Sequence, residues 1–306
     1  MKHFILAGVF LLGISGLAWG QLDVVCTTGM VGDLVREVGG DRVKVTTLMV
    51  EGVDPHLFKP TRDDVARILQ ADLVFYSGLH LEGRMEETFE KLSAKGKSIT
   101  SITSEIPDAL LLKEGAVVDP HVWMNPGLWA GCTQTVSDSL GKKDPDGTAV
   151  YAANATRYAT QLRSLEIKMR SSIATIPESQ RILITAHDAF QYIAKATGLT
   201  VMSIQGLSTA SEAGVADINR LVDAIVTRRI PAIFVESTLS EKNVRAVMEG
   251  AASRGFEVKL GGMLFADSMG KAGTPEGTYT GMIEHNVNTI TQALGGRIPT
   301  KGVTQP

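Results

Sequence analysis

Residues 145–177 read PDGTAVYAANATRYATQLRSLEIKMRSSIATIP. After Gly147 the stretch holds no glycine, no further proline interrupts it before Pro177, and no polar–apolar alternation suggests a strand. Tyr151, Tyr158, Leu162, Leu165, Met169 and Ile173 recur at spacings of three, four or seven, as one face of a helix demands. Pro177 stops the pattern, because proline lacks an amide hydrogen and forces its predecessor out of helical geometry. The spacing predicts one helix of about 30 residues, ~45 Å long at 1.5 Å per residue. About 125 residues lie on either side of it. It can be a rigid spar joining two lobes, or a long surface helix of one large domain. The first reading is preferred, with lobes over 21–145 and 177–306 and the linking helix over 146–176.

On both sides, short β-branched runs alternate with longer amphipathic segments. Strands are expected at 24–26, 43–50, 72–76, 98–102, 181–186, 200–204, 232–236 and 257–260. Helices are expected at 61–70, 82–92, 212–228 and 240–254, with Thr61 and Ser240 as N-caps and Gly255 as a stop. Alternation of this kind builds parallel sheets from βαβ units. The expected class is therefore α/β: two parallel-sheet α/β lobes joined by one long helix, with a cleft between them.

The chain has 306 residues, 44% hydrophobic and 21% charged, which describes an ordinary globular protein of about two domains. Thirty basic against thirty-three acidic residues, without a Lys/Arg run, argue against a nucleic-acid partner. Two cysteines, Cys26 and Cys132, are too few for a disulfide scaffold or a thiolate zinc module. Met1-Lys2-His3 precedes 19 uncharged residues containing four glycines, and Ala18-Trp19-Gly20 offers small residues at −3 and −1. This describes a secretory signal over residues 1–20, cleaved near Gly20, with an uncleaved anchor helix as the alternative. Cys26 follows Asp23-Val24-Val25 and does not fit a lipoprotein cleavage site. Loss of Lys2 with the signal leaves a net charge of −4. An exported, periplasmic protein is expected.

Two histidines close the same tripeptide, Asp54-Pro55-His56 and Asp119-Pro120-His121. Proline stiffens each turn, and the aspartate is placed to accept from the backbone or from the ring N–H, the usual partner of a ligating imidazole. His187 follows the strand expected at 181–186, and the carboxyl end of a parallel strand is where α/β proteins place ligand contacts. Asp267 lies in the loop after the strand expected at 257–260, where it either ligates or caps a turn. Two residues come from each lobe, separated by 65, 66 and 80 positions. Three imidazoles and a carboxylate suit a divalent first-row metal such as Zn²⁺, Mn²⁺ or Fe²⁺.

The stretches Gly52-Val53-Asp54-Pro55-His56, Gly78-Leu79-His80-Leu81-Glu82, Asp119-Pro120-His121-Val122-Trp123, Thr185-Ala186-His187-Asp188-Ala189-Phe190, Ser208-Thr209-Ala210-Ser211-Glu212 and Leu264-Phe265-Ala266-Asp267 follow one another from Val24 to Leu294. In this order they resemble the metal-binding solute receptors of ATP-driven (ABC) manganese and zinc importers, the TroA-like family. The resemblance implies two lobes on one long helix, a metal in the cleft between them, and His56, His121, His187 and Asp267 as its ligands. It implies delivery of the metal cargo to a membrane permease by a monomer with no catalytic residue. Manganese-specific relatives often carry Glu at the third ligand position, so His187 places the chain nearer the TroA type. Zinc-specific relatives often carry a histidine-rich loop before the second ligand, and residues 106–118 contain no histidine.

For the remaining candidates a structural role is expected. His80 should pack or support a ligand, and His285 should lie half-exposed on a terminal helix. Glu236 should pair with a base or cap a loop, and both cysteines should be buried thiols. The competing function class is an extracytoplasmic zinc hydrolase. Catalytic zinc keeps three protein ligands and an open water position, whereas four side chains are available here and no His-Glu-x-x-His pattern occurs.

Overall fold

The computed structural model describes residues 20–298. The expected signal segment, apart from Gly20, lies outside the described residues. The first half of the chain runs β1 (Leu22–Cys26), α1 (Gly29–Gly39), β2 (Val43–Thr47), α2 (Arg62–Gln70), β3 (Leu73–Tyr76), α3 (Glu86–Ser93) and β4 (Ile99–Ser101). A two-residue-per-strand hairpin, β5 (Lys113–Glu114) and β6 (Val117–Val118), follows, and then α4 (Pro126–Lys143). Strands β1 to β4 form one parallel sheet in the order β2-β1-β3-β4, with Val24 beside both Val45 and Leu73. Thr61 caps α2 as expected, since its hydroxyl accepts from Asp64 N while the Asp64 carboxylate accepts from Thr61 N at 2.9 Å.

The long helix α5 spans Thr148–Ile173. At 26 residues it is about 39 Å long, a few residues shorter at each end than expected. Pro145–Gly147 form a separate tight turn. Past Ile173 the Arg181 guanidinium takes the carbonyls of Ala174 and Ile176 at 2.8 and 2.9 Å, satisfying the helix end from outside. All six residues of the expected stripe are buried.

The second half runs β7 (Ile182–Thr185), α6 (Gln191–Thr197), β8 (Thr200–Ser203), α7 (Val215–Arg228), β9 (Ala232–Glu236), α8 (Lys242–Ser253), β10 (Lys259–Leu264) and α9 (Tyr279–Ala293). Strand β7 pairs in parallel with β8, and β9 with β10; β7 and β9 lie side by side. The last strand extends four residues past its expected end. Its ladder shifts between Leu260 and Gly262, and the Phe234 ring occupies the space where a Cβ on Gly261 would stand, 2.5 Å away. The glycines that seemed to end the strand instead let an aromatic ring lie against it.

Helix α5 packs on α1 at its first half and on α6 and α9 at its second, with α4 alongside. One hydrophobic core consequently runs through both lobes, from Val24, Leu34 and Phe75 through Trp123, Trp129, Tyr158 and Leu162 to Leu183, Phe190, Phe234 and Ile283. A second cluster, including Ile184, Leu221, Ile233 and Val247, seats α7 and α8 on the other face of the second lobe. The observed architecture is the expected one: parallel-sheet α/β lobes joined by a long helix, with a His/Asp group between them.

Candidate metal centre

The four residues come together. His56 lies in the loop between β2 and α2, His121 just past the β5–β6 hairpin, His187 two residues beyond β7, and Asp267 three residues beyond β10. One ligand atom from each can be chosen so that all four lie within 4.8 Å of one another. His56 Nε2 is 3.4 Å from His121 Nε2 and 3.5 Å from Asp267 Oδ2. Asp267 Oδ1 is 3.4 Å from His121 Nε2, and Asp267 Oδ2 is 3.2 Å from His187 Nε2. Donors about 2.0–2.2 Å from a metal stand roughly 3.3–3.6 Å apart at the corners of a tetrahedron. These four contacts, which use both Asp267 oxygens, are of that size, and with one atom from each residue the set spreads to as much as 4.8 Å.

The group is dry. The side chains of His121, His187 and Asp267 are fully buried, and that of His56 is 4% exposed. His187 Nε2 and both Asp267 oxygens are buried without a hydrogen-bond partner. Buried polar atoms are normally paired, so three converging unpaired atoms fit a site built for a cation.

The local sequence aims each ring. In both Asp-Pro-His turns the aspartate accepts from the histidine backbone: His56 N donates to Asp54 Oδ1 at 2.8 Å and His121 N to Asp119 Oδ1 at 2.9 Å. Asp119 Oδ1 also takes His121 Nδ1 at 2.7 Å, which turns Nε2 toward the centre. Asp54 differs, since its second oxygen accepts from Thr209 Oγ1 at 2.6 Å across the cleft. His187 is held by Glu236, whose two oxygens take its backbone N–H, at 2.9 Å, and its Nδ1 separately. Trp123 packs edge-on against His121 and donates its indole N–H to Ala266 O at 3.0 Å, beside Asp267. Glu236 is thus a ring partner, one of the two roles expected for it.

Charge is distributed unevenly over the three rings. Burial pulls His56 down to about 4 although Asp267 opposes it, and the facing rings of His121 and His187 add to the fall. Burial also pulls on His121, but its bond to Asp119 and the Asp267 carboxylate hold it up at about 9. His187 is raised well above its ordinary value against burial, by Glu236 and then Asp267. Asp267 falls well below the carboxylate range, burial being outweighed by His187 and His121. The two rings raised in this way both stand beside the Asp267 carboxylate.

The other candidates stay outside. His80 is the correction. Its side chain is 85% exposed, Nδ1 lies 2.5 Å from Glu86 Oε2, and its φ of 65° puts it at a left-handed turn, so it neither packs nor supports a ligand. The buried polar residue of that motif is Glu82, which accepts from Thr27 Oγ1 at 2.7 Å and from Ser77 and Gly78 amides. His285 sits on α9 as expected, its Nε2 3.0 Å from Met263 O and its ring against Phe265. Cys26 and Cys132 are buried and unpaired; burial raises both thiols, Cys132 to about 12.

The family described as ZnuA, zinc-uptake complex component A, periplasmic, matches residues 24–293. The manganese-binding lipoprotein MntA of Bacillus subtilis (strain 168) is 44% identical over 276 residues, covering 90% of each chain. The solved structure of the periplasmic zinc-binding protein TroA from Treponema pallidum superposes with a TM-score of 0.88 at 42% identity, over 91% of this chain and all of that one. The metal ABC transporter substrate-binding lipoprotein FimA of Streptococcus parasanguinis is 28% identical over 289 residues, 92% of each chain. With residues 24–293 matched and this fold in place, the chain belongs to the ZnuA family of metal-binding ABC substrate-binding proteins.

Proposed function

We propose that this protein captures a divalent transition metal, Zn²⁺ or Mn²⁺, outside the cytoplasm and hands it to the permease of an ABC importer. The ion is the cargo, and His56, His121, His187 and Asp267 are its ligands. The observation that carries the reading is the convergence of four donor groups, two from each lobe, with one atom of each within 4.8 Å of the others and three of the four side chains fully buried. A full set of side-chain donors leaves no open water position of the kind hydrolytic zinc requires. The hydrolase alternative finds no support in the relatives either, which are named for metal binding and transport.

The finer assignments follow the same reading. Residues 1–20 act as a cleaved export signal, so the mature protein works in the periplasm as a monomer. Lobes over 21–145 and 177–306 flank a linking helix over 146–176; this partition is supported by α5 contacting α1 on one side and α6 and α9 on the other. Among the described residues no helix is long and apolar enough to cross a membrane.

The test is equilibrium titration of purified mature protein with Zn²⁺ and Mn²⁺ under chelator competition. One ion per chain is expected. His56→Ala, His121→Ala, His187→Ala and Asp267→Ala should each weaken affinity by two orders of magnitude or more, roughly what loss of a direct ligand must exceed if a ring partner alone is worth 10–100-fold. His285→Ala should bind as wild type. Wild-type affinity in the Asp267 variant, or equal loss in the His285 variant, would overturn the ligand set.

A further inference from the structure

The loop that carries His56 is tied to the opposite lobe at two points. Gly52 N donates to Ser268 Oγ at 2.8 Å, one residue from Asp267. Thr209 Oγ1 donates to Asp54 Oδ2 at 2.6 Å, while Asp54 Oδ1 holds the His56 amide at 2.8 Å. The Asp54 carboxylate thereby joins a ligand-bearing backbone to a residue 155 positions away in sequence.

Thr209 is itself anchored. It is buried, in the loop between β8 and α7. The start of that loop bonds to the turn bearing His187, through Gln205 N to Ala186 O at 3.0 Å and Asp188 N to Gly206 O at 3.2 Å. The same loop therefore holds the His187 turn on one side and the His56 turn on the other. His56 is also the one ligand whose side chain meets solvent. Loosening of its turn opens the site.

We infer that Thr209 is a positioning residue for the metal site: its hydroxyl, through Asp54, holds the His56 loop shut against the second lobe and sets how fast a bound ion leaves. This rests on the four-ligand reading above. Thr209 touches no ligand ring, so its contribution acts through Asp54 and the His56 backbone.

The experiment is metal release from Zn²⁺-loaded protein mixed with excess chelator, followed in stopped flow. Thr209→Val keeps the shape and removes the hydroxyl, and a hydrogen bond to a charged group is worth about tenfold or more. Release from Thr209→Val should be faster by that factor. Thr209→Ser, which keeps the hydroxyl, should release within about twofold of wild type, and Ser268→Ala, which cuts the other tie, should also release faster. Each metal-free variant should still melt in one cooperative transition, lowered by no more than the few degrees that loss of one hydrogen bond brings. Wild-type release rates in both Thr209→Val and Ser268→Ala, with one Zn²⁺ still bound per chain, would overturn the latch. So would Thr209→Ser releasing as fast as Thr209→Val. A wild-type chain that binds no Zn²⁺ would instead sink the site reading on which the latch depends.

Discussion

Replacing Glu236 with glutamine separates two ways of supporting a ligating histidine. Glu236 meets two donors of His187 with two different oxygens: Oε1 takes the backbone N–H at 2.9 Å and Oε2 takes Nδ1. A glutamine has one oxygen, so in Glu236→Gln one of these donors must face an NH₂ group in a fully buried position. Asp119 works differently, because its Oδ1 alone accepts both the His121 amide at 2.9 Å and Nδ1 at 2.7 Å. Asp119→Asn can keep both bonds, giving up the charge and putting its NH₂ where the buried, unpartnered Oδ2 stands. Loss of such a ring partner costs about 10–100-fold in metal affinity. Glu236→Gln should therefore fall near the upper end, about 2–3 kcal/mol, and Asp119→Asn near the lower, about 1.4 kcal/mol. Chelator competition with Zn²⁺, read at pH 7.5 on both variants and wild type, measures the difference. Affinity within about twofold of wild type for Glu236→Gln, or an equal loss in the two variants, would refute the two-oxygen argument.

Further outcomes follow from the site and from the long helix. Metal must displace protons from rings whose affinity for them is raised, His121 to about 9 and His187 well upward; calorimetry in buffers of different ionisation heat should show more than one proton released per ion at neutral pH, with affinity still climbing between pH 7 and 9. The sign for the metal-free protein is opposite: a histidine raised above its unfolded value of about 6.5 lends stability below that pH that is lost as pH rises through about 9, so the metal-free melting point should drop over that window, and a flat profile would contradict it. Chelation should lower the melting temperature, since an ion at a thousandfold excess over Kd contributes about 4 kcal/mol, while the radius of gyration from solution scattering stays nearly constant because both lobes pack on one unbroken α5; a large expansion would exclude that packing.

The long helix and the three histidine ligand candidates were legible because each is written locally, whereas Asp267, which on local sequence could equally cap a turn, was singled out by the family resemblance. A 3.6-residue stripe between Gly147 and Pro177, two Asp-Pro-His turns, and a histidine at the end of an apolar run need no knowledge of distant residues. What was hidden depends on distance along the chain. Nothing near Thr209 announces Asp54, and the pairing of Glu236 with His187 spans 49 positions. The helix Gly29–Gly39 was missed because two glycines stand in its first turn and its polar stripe is only Asp33, Arg36 and Glu37. The predicted helix start at residue 82 failed because Glu82 is spent on a buried turn ahead of α3. His80 resembled a site residue by type and motif, yet its left-handed backbone turns it outward to Glu86.

The core shared by both lobes bears on leakage. Where two halves of a receptor have separate interiors, either half can breathe or partly melt and spill its cargo. Here Leu34 and Phe75, Tyr158 and Leu162, and Phe234 and Ile283 belong to one interior, so opening the part of either lobe built on it disturbs packing under the other. The rim loops that carry the four candidate ligands lie outside that interior's strands and helices. A carrier built this way keeps its load during the search for a membrane partner and leaves unloading to whatever can displace those loops.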